Sequence, residues 1–307
     1  MTLNQLKIID ALMGNDLNLS LTADKLFRVQ SALSNQLRLL EEELGGRLFE
    51  RHGKRLVKPT PLCEALLPEI ERALLAEKNI KTLSLEHQNT DKGHLRIATT
   101  HTQAKYFLPQ VIAEFSDKHP GVRLSIHQGS PAEFLNMLRR HHIEFAIFAS
   151  EQVIPAEFVK ANCYSWNRTL IVRRGHPLEH VRLNLAKIAE HPIITYMPDF
   201  AERQTIEETF NGAGIAIDVS FSAGDTDVIK TYVRLNLGAA IVAQMVQSAP
   251  GGAESDRDLV FRDLGRLFKN STTRIVHLKE LAMRGYMHEF LQLLQRHGRT
   301  FQQQLEK

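Results

Sequence analysis

The chain has 307 residues, 43% of them hydrophobic, and a formal net charge of +3 at pH 7. This length favours about two domains, and the apolar fraction is ample for ordinary globular cores. The sequence has no apolar run of roughly 18 residues and no basic-then-apolar start, so we expect no membrane span, no signal peptide and a cytoplasmic location.

Charge is nearly balanced along the chain. Residues 1–58 hold nine Lys or Arg against seven Asp or Glu, and the remaining residues hold 29 against 28. Nucleic-acid-binding domains are usually strongly basic, so a prediction of such a partner must here rest on pattern. The two cysteines, Cys63 and Cys163, are isolated thiols, which favours a reducing compartment over a disulfide framework.

Two short helix patterns separated by a tight turn begin near Leu19. The first helix is predicted from about Leu21 to Phe27, with Thr22 or Ser20 as its N-cap. Small Ala23 permits a close crossing with the next helix. The pair has the outline of a helix-turn-helix, whose second helix reads the major groove of DNA.

The second helix, predicted from Ser31 to Leu44, has one apolar and one polar face. At 100° per residue the apolar face collects four leucines: Leu33, Leu37, Leu40 and Leu44. The opposite face and the residue just before the helix carry groups that hydrogen-bond base edges: Gln30, Ser31, Ser34, Asn35 and Arg38. We therefore predict that this face binds double-stranded DNA. The alternative is an amphipathic helix pair with an ordinary solvated face.

A basic hairpin is predicted after Gly45 and Gly46, with Gly53 at its turn. Five basic residues there face a single acid, Glu50: Arg47, Arg51, Lys54, Arg55 and Lys58. Such a wing suits phosphate contact, which supplies affinity without sequence information. Arg51, Lys54 and Arg55 are the predicted contacts.

One long helix is predicted next, with Thr60 as N-cap, Pro61 as first residue and Pro68 tolerated inside it. Apolar residues recur along it at spacings of three and four: Leu62, Leu66, Ile70, Ala73, Ile80 and Leu83. The stripe resembles an imperfect heptad seam, which favours dimerisation through this helix. Packing on its own domain is the alternative.

From Gly93 the pattern alternates between strands and helices, which indicates parallel β-α-β units. HLRIATT is followed by a helix to about Lys118, then VRLSIHQ, a helix from Pro131 and EFAIFA. A second block of strands (RTLIVR, PIITY, IDVSF, AAIVA and LVF) precedes STTRIVHL and a C-terminal helix. We expect two lobes whose chain crosses near Cys163 to Trp166 and again near Phe268 to Ser271.

Two predicted helix starts lie at the carboxyl ends of neighbouring strands. Thr100 or Thr102 can cap one, while Ser130, Pro131 and Glu133 form a capping-box pattern at the other. Helix N-termini and hydroxyls at such an edge suit a small anion. Capping alone is the alternative reading of each hydroxyl.

The leading helix from Leu3 to Met13, followed by TADKLFRVQSALSNQLRLLEEELGGRLFER, resembles the DNA-binding domain of LysR-type transcriptional regulators, and the likeness extends over most of the chain. The resemblance implies an N-terminal winged helix-turn-helix at 1–59 and a linker and dimerisation helix at 60–90. It implies a two-lobed, periplasmic-binding-protein-like α/β effector domain at 91–307, with lobe I at about 91–163 and 269–300 and lobe II at about 164–268. Asn35 stands where many relatives carry a basic residue.

Five strings resemble the CysB/Cbl group of that family, which controls cysteine biosynthesis and sulfur assimilation: ATTHTQAKYFLP, HQGSP, YSWNR, DTDVIKTYVRLNLG and NSTTRI. The resemblance implies effector contacts at Thr100, Thr102, Gln103 and Trp166, and an effector such as sulfate, thiosulfate or acetylserine.

Two positions depart from the pattern of that group. Ala149, followed by Ser150, and Ala201, two residues before Arg203, stand where threonines are expected. Because two hydroxyl donors are lost, we expect weaker sulfate binding, with Ser150 or Arg203 as substitutes.

The expected protein is a DNA-binding transcriptional regulator that uses a small anionic or acetylserine-like effector and no cofactor. The resemblance adds a homodimer or dimer of dimers and RNA polymerase as a partner; activation and repression both stay open. The alternatives are a solute-binding protein and a LysR-type regulator of an unrelated pathway. No enzyme is expected, because His101, His141 and His142 lack HExxH, CxxC or nucleophile-elbow patterns, and no metal site is expected.

Overall fold

The computed structural model describes residues 1–53, 55–88, 92–150, 153–198, 200–248 and 256–306. The chain forms two compact units. The first comprises Met1–Gln88 with Glu280–Ala282, and the second comprises Asn89–Lys279 with Met283–Lys307. Within the described ranges, no helix combines the length and the apolar character that a membrane crossing requires.

The first unit is a winged helix-turn-helix followed by a long helix, as predicted. Its elements are α1 (Leu3–Met13), α2 (Leu19–Lys25), α3 (Gln30–Glu43), β1 (Phe49–His52), β2 (Arg55–Pro59) and α4 (Pro61–His87). Asn18, not Thr22 or Ser20, caps α2, because its side chain accepts from the Leu21 N–H at 3.0 Å. Thr22 is instead fully buried. The predicted cap was wrong because Ser20 and Thr22 lie inside the helix.

The leucine face of α3 forms the core of this unit. Leu33, Leu37 and Leu40 are almost fully buried in a hydrophobic cluster that also contains residues of α1 and α4, and Leu44 packs at its edge. Burial of each leucine stabilises the fold by ~1.5–3 kcal/mol. The core therefore orients α3, and its predicted apolar face is confirmed.

Helix α4 begins as predicted. Thr60 Oγ1 accepts from the Cys63 N–H at 3.2 Å, and Pro61 occupies the first turn. The helix continues through Pro68 for 27 residues, a length of ~40 Å. Its first half packs on the core of the unit, whereas Ile80 and Leu83 are 70% and 58% exposed. Packing on its own domain thus holds for the first half of the helix, and dimerisation through the exposed residues stays a prediction.

The second unit is an α/β structure with two five-stranded sheets. Its elements in chain order are β3 (Gly93–Thr99), α5 (His101–Tyr106), α6 (Leu108–Lys118), β4 (Val122–Gln128), α7 (Pro131–Arg139), β5 (Phe145–Ala149), β6 (Phe158–Trp166), β7 (Arg168–Arg173), α8 (Leu185–Ala189), β8 (Ile193–Thr195), α9 (Ala201–Gly212), β9 (Val219–Ser222), α10 (Thr226–Arg234), β10 (Ala239–Ala243), β11 (Leu259–Asp263), β12 (Ser271–Leu278) and α11 (Gly285–Leu305).

Each sheet defines a lobe. Lobe I has the strand order β4-β3-β5-β12-β6 and lobe II the order β11-β7-β10-β8-β9. Strands β3, β4 and β5 are parallel, as are β8, β9 and β10, whereas β12 pairs antiparallel with β5 and β6. The two-lobed α/β prediction is confirmed. The helix predicted from the end of β3 to Lys118 is instead two helices separated at Phe107, just before Pro109, which cannot donate a backbone hydrogen bond.

The chain crosses between lobes at Asn167 and again at residues 264–270. Asn167 Nδ2 donates to Phe268 O at 3.0 Å and to Asn270 Oδ1 at 2.6 Å. The fully buried Arg168 donates to Lys269 O and Ser271 Oγ, at 2.9 and 2.7 Å. These bonds tie the two crossings together.

Candidate DNA-reading helix and effector site

The polar face of α3 is exposed where the sequence predicted a reading face. Ser31, Asn35 and Arg38 are exposed, and Ser34 is half-buried. Arg38 Nη2 donates to Asn35 Oδ1 at 3.0 Å, and Nη1 pairs with Glu42 one turn along. Both members of that ion pair are more than half exposed, so water and salt screen it. The guanidinium is therefore free to exchange this pair for a nucleic-acid contact.

Gln30 begins α3 and faces α2. Its Oε1 accepts a hydrogen bond from Ser20 Oγ at 3.1 Å. A cavity of about 420 Å³ lies here, lined by residues 15–21, Gln30, Arg55 and Leu56. Gln30, a predicted base-reading residue, and Arg55, a predicted wing residue, thus both line this cavity.

The wing residues differ in their surroundings. Arg51 Nη2 donates at 2.9 Å to Glu41 Oε2, while Oε1 of that buried carboxylate accepts from the Leu48 N–H. Arg51 therefore ties the wing to α3. Arg55 is exposed on β2, with Gly53 at a positive φ of 61° in the turn. Lys54 lies outside the described residues.

The predicted effector residues Gln103 and Trp166 meet at a residue of β12. Gln103 Nε2 and Trp166 Nε1 both donate to Thr273 Oγ1, at 3.2 and 3.0 Å. Gln103 Oε1 accepts from the Tyr164 hydroxyl. All four side chains are buried, so this is a polar cluster inside lobe I where it faces lobe II.

Thr100 and Thr102 extend the cluster. Thr102 Oγ1 lies 3.3 Å from Thr226 Oγ1 of α10, a contact between the lobes. Thr100 is 3% exposed, and its Oγ1 has no hydrogen-bond partner among the described residues. A buried hydroxyl without a partner is costly, and it marks a position where a ligand atom would restore a hydrogen bond.

The other predicted effector residues have different positions. Ala149 lies opposite Thr273 in the β5–β12 register, and Ser150 follows it, buried. Arg203 Nε pairs with Glu207 at 2.6 Å and Nη1 donates to Ser222 at 3.3 Å, so its guanidinium is directed along lobe II. Ala201 is the first residue of α9 and is buried.

The predicted capping box at α7 does not form. Ser130 precedes the helix without a side-chain cap bond, and Glu133 instead binds His127 at 2.8 Å. Thr100 likewise makes no side-chain cap bond to α5, which spans only six residues. Neither hydroxyl is therefore explained by capping. The two capped helix N-termini from which the sequence predicted an anion site are not present.

Sequence reasoning missed several residues of the cluster: Tyr164, Tyr196, Thr226 and Thr273. Burial and the negative charge of Glu202 raise the pKa of both tyrosine hydroxyls, so they stay protonated and can donate. Thr226 and Thr273 lie in strings that carry the family resemblance, which was the available signal.

His101, Asp225 and Asp227 form a cluster between α5 and α10 whose ligand atoms lie within 4.8 Å of one another. His101 Nε2 is 3.2 Å from Asp225 Oδ1, and Lys105 pairs with Asp227. Because the ammonium of Lys105 already supplies a positive charge, the arrangement is best described as ion pairing between the lobes.

Both thiols are poorly suited to redox chemistry. Burial raises the pKa of Cys63 to about 11 and that of Cys163 to about 12. Since the thiolate is the reactive form, these cysteines are inert packing residues at neutral pH.

The two units match two described families. Residues 3–64 match "Bacterial regulatory helix-turn-helix protein, lysR family", and residues 88–299 match "LysR substrate binding domain". The chain is 38% identical to the HTH-type transcriptional regulator CysB of Haemophilus influenzae, over 97% of this chain and 91% of the relative. It is 39% identical to the HTH-type transcriptional regulator SsuR of Burkholderia cenocepacia, over 97% of this chain and 96% of that relative.

Among solved structures, the chain is similar to the cofactor-binding domain of the Cbl transcriptional regulator. The TM-score is 0.63 at 34% identity, covering 70% of this chain and 93% of that one. The helix-turn-helix, the two-lobed domain and these near full-length relatives agree. This chain therefore belongs to the LysR family of transcriptional regulators.

Proposed function

We propose that this regulator controls genes of sulfur assimilation and cysteine biosynthesis in response to a small effector bound beside Thr100, Thr102 and Gln103. The observation that carries the proposal is the buried cluster of those residues with Trp166, in a chain 38–39% identical to CysB and SsuR over nearly its whole length. A LysR-type regulator of another pathway is the alternative.

DNA recognition is assigned to α3 and the wing. Ser31, Ser34, Asn35 and Arg38, with Gln30 at the start of the helix, are the base-reading set. Arg55 and Lys54 supply phosphate contacts from the wing. The exposed polar face of α3, opposite a buried leucine face, supports this assignment.

The effector site is assigned to hydroxyl and amide groups rather than to a strong counter-charge. Thr100 offers an unpartnered hydroxyl, and Gln103 and Thr102 lie within the following helical turn. Ala149 and Ala201 each remove a donor, which costs an anion ~1.5–3 kcal/mol per lost hydrogen bond. Ser150 is the remaining hydroxyl beside Ala149, and Arg203 would have to leave Glu207 to take part.

The active form is proposed to be a dimer, or a dimer of dimers, joined through the exposed half of α4. Ile80 and Leu83 provide the apolar surface. Two reading helices would then bind half-sites related by dyad symmetry. RNA polymerase is the proposed downstream partner at the promoter.

The test combines capture and titration. Fragmented genomic DNA retained by the protein is sequenced, and retardation of the recovered sites is followed with sulfate, thiosulfate, O-acetylserine and N-acetylserine. We expect enrichment of sulfur-assimilation promoters and a response to at least one compound that is weakened in Thr102→Ala. Recovery of unrelated promoters with no response to any of the four would contradict the proposal.

A further inference from the structure

Phe27 and Val29 expose apolar side chains in the turn between α2 and α3. Phe27 is 97% exposed, more than any other large hydrophobic side chain in the described ranges, and Val29 is 71% exposed. A single exposed apolar residue is ordinary on a protein surface, but these two lie on either side of Arg28 in one turn. The pair comes directly before Gln30, the first residue of α3.

Phe27 occupies a backbone position that favours glycine. Its φ is 53°, in the left-handed region where a bulky side chain is strained. Two hydrogen bonds fix this turn. The Phe27 N–H donates to Asp24 O at 3.1 Å, and the next N–H, that of Arg28, donates to Ala23 O at 2.9 Å. This is the Schellman pattern at the end of a helix, in which glycine usually takes the left-handed position.

Val29 is also a poor choice for its position. It is the N-cap of α3 and makes no side-chain cap hydrogen bond. Serine, threonine, asparagine and aspartate stabilise helices there, because their side-chain oxygen accepts from a free N–H, whereas valine is among the least favourable residues. Phe27 and Val29 thus both present apolar surface where another residue would make the turn more stable, which favours a contact outside the chain.

The position of the pair favours DNA as its partner. The first residues of a recognition helix enter the major groove, so the pair would lie beside the bases that Gln30 and Ser31 are assigned to read. Arg28, between the two apolar residues, is exposed and has a charge that suits phosphate. The apolar group of the major groove is the thymine methyl, which apolar side chains contact.

We infer that Phe27 and Val29 read thymine, because their side chains pack on 5-methyl groups at the edge of the sequence bound by α3. They add an apolar component to a reading face whose assigned residues are all polar. This inference rests on the proposed function, since it assumes that α3 enters the major groove.

Thymine and uracil differ only in this methyl group, so recovered operator fragments made with deoxyuridine in place of thymidine give a matched test. Retardation of both fragments is measured with the full chain. We expect the wild type to bind the deoxyuridine fragment at least about threefold more weakly, as for the loss of one buried methyl. Arg55→Ala, which removes a proposed phosphate contact, is the control and should weaken binding to both fragments alike.

Two substitutions separate reading from folding. Phe27→Gly relieves the left-handed residue and Val29→Ser supplies the missing cap, so the melting temperature of the double variant should not fall. The double variant should nevertheless bind the thymine fragment at least about threefold more weakly than the wild type does, and lose most of the difference between the two fragments. If it does not fold, the single variant Val29→Ser and the wild-type ratio still decide.

The outcomes distinguish this inference from the proposed function. Equal binding of the two fragments by the wild type, or an undiminished thymine preference in the folded double variant, overturns this inference alone. Unchanged DNA binding by the double variant also overturns it and would indicate that the pair faces a protein partner. If Arg38→Ala leaves operator affinity unchanged as well, α3 is not the reading helix, and the proposed DNA assignment fails with this inference.

Discussion

Arg38 is paired on its own helix and is also a proposed base-reading residue. Its exposed pair with Glu42 is worth only ~0.3–0.5 kcal/mol, whereas a good base contact is worth ~1–3 kcal/mol. Arg38→Ala should therefore weaken specific binding by ~1–3 kcal/mol. Glu42→Gln should strengthen binding, because it removes a competing acid. Retardation of recovered operator fragments measures both, and unchanged affinity in Arg38→Ala would remove α3 from its assigned role.

Arg51 and Arg55 are neighbours in the wing with different expected roles. Arg51→Ala leaves the buried Glu41 with one fewer donor and should cost ~1–2 kcal/mol of stability, a moderate value because Arg51 is 31% exposed. Arg55→Ala should leave stability unchanged, weaken binding to all DNA sequences and reduce the salt slope by ~1. Chemical denaturation measures the stability of both variants, and DNA binding at several salt concentrations measures the phosphate contact. A loss of stability in Arg55→Ala together with a reduced salt slope in Arg51→Ala would show that the two assignments are reversed.

At the scale of elements, the two halves of α4 differ in burial, and the proposed dimer interface lies on the exposed half. Its first half is part of the core around Ile70 and Leu74, while Ile80 and Leu83 are exposed. The double substitution Ile80→Asp, Leu83→Asp should give a monomer by sedimentation with little change in unfolding free energy, because only exposed residues change. Leu74→Ala is the contrast and should destabilise by ~2–5 kcal/mol. A double variant that stays dimeric would place the interface elsewhere.

Helices α6 and α11 are joined by an exposed charge network that should weaken in acid. Hydrogen bonds from Arg296 and His297 lower the pKa of Glu114 from 4.5 to about 2. A carboxyl whose folded pKa is depressed stabilises the protein above its unfolded pKa and loses that contribution as pH falls from about 4.5 to about 2. Melting temperature should therefore fall less steeply over this range in Glu114→Gln, and less steeply in high salt. Parallel curves would show that the network contributes nothing measurable.

Elements with local signals were predictable, and those set by tertiary contacts were not. The leucines of α3 and the Thr60–Pro61 start of α4 follow from helical periodicity and capping chemistry. Asn18 is the N-cap of α2 because the helix begins earlier than its apolar pattern suggests. Glu133 does not form the expected capping box, because it binds His127 on the preceding strand instead. Spacing along the chain does not reveal that partner.

The same distinction applies to the candidate site. Thr100, Thr102, Gln103 and Trp166 were found through family resemblance, and the structure shows them buried together. The positions of Thr273 and Thr226 depend on strand register and on a contact across the lobes. No local periodicity encodes such contacts.

At the scale of the whole effector unit, one hydrophobic cluster joins the lobes. Tyr106 and Trp166 of lobe I belong to the same buried cluster as Ile171 and Ile194 of lobe II. Wide separation of the lobes would expose this apolar surface at ~25 cal/mol per Å². We therefore expect effector binding to act through small local rearrangements rather than through a large hinge opening.

Trp166 should report such a rearrangement, because Thr273 Oγ1 accepts hydrogen bonds both from Gln103, a proposed effector contact, and from the indole. A ligand that draws Gln103 away changes the hydrogen bonding of the indole nitrogen, so tryptophan emission should shift on binding. Thr273→Val, which keeps the side-chain volume, should abolish most of that shift, while calorimetry still detects ligand. Val233→Ala, which alters the same hydrophobic cluster without touching Thr273, is the control. An undiminished shift in folded Thr273→Val would mean that the signal reaches Trp166 through packing around Arg168 instead.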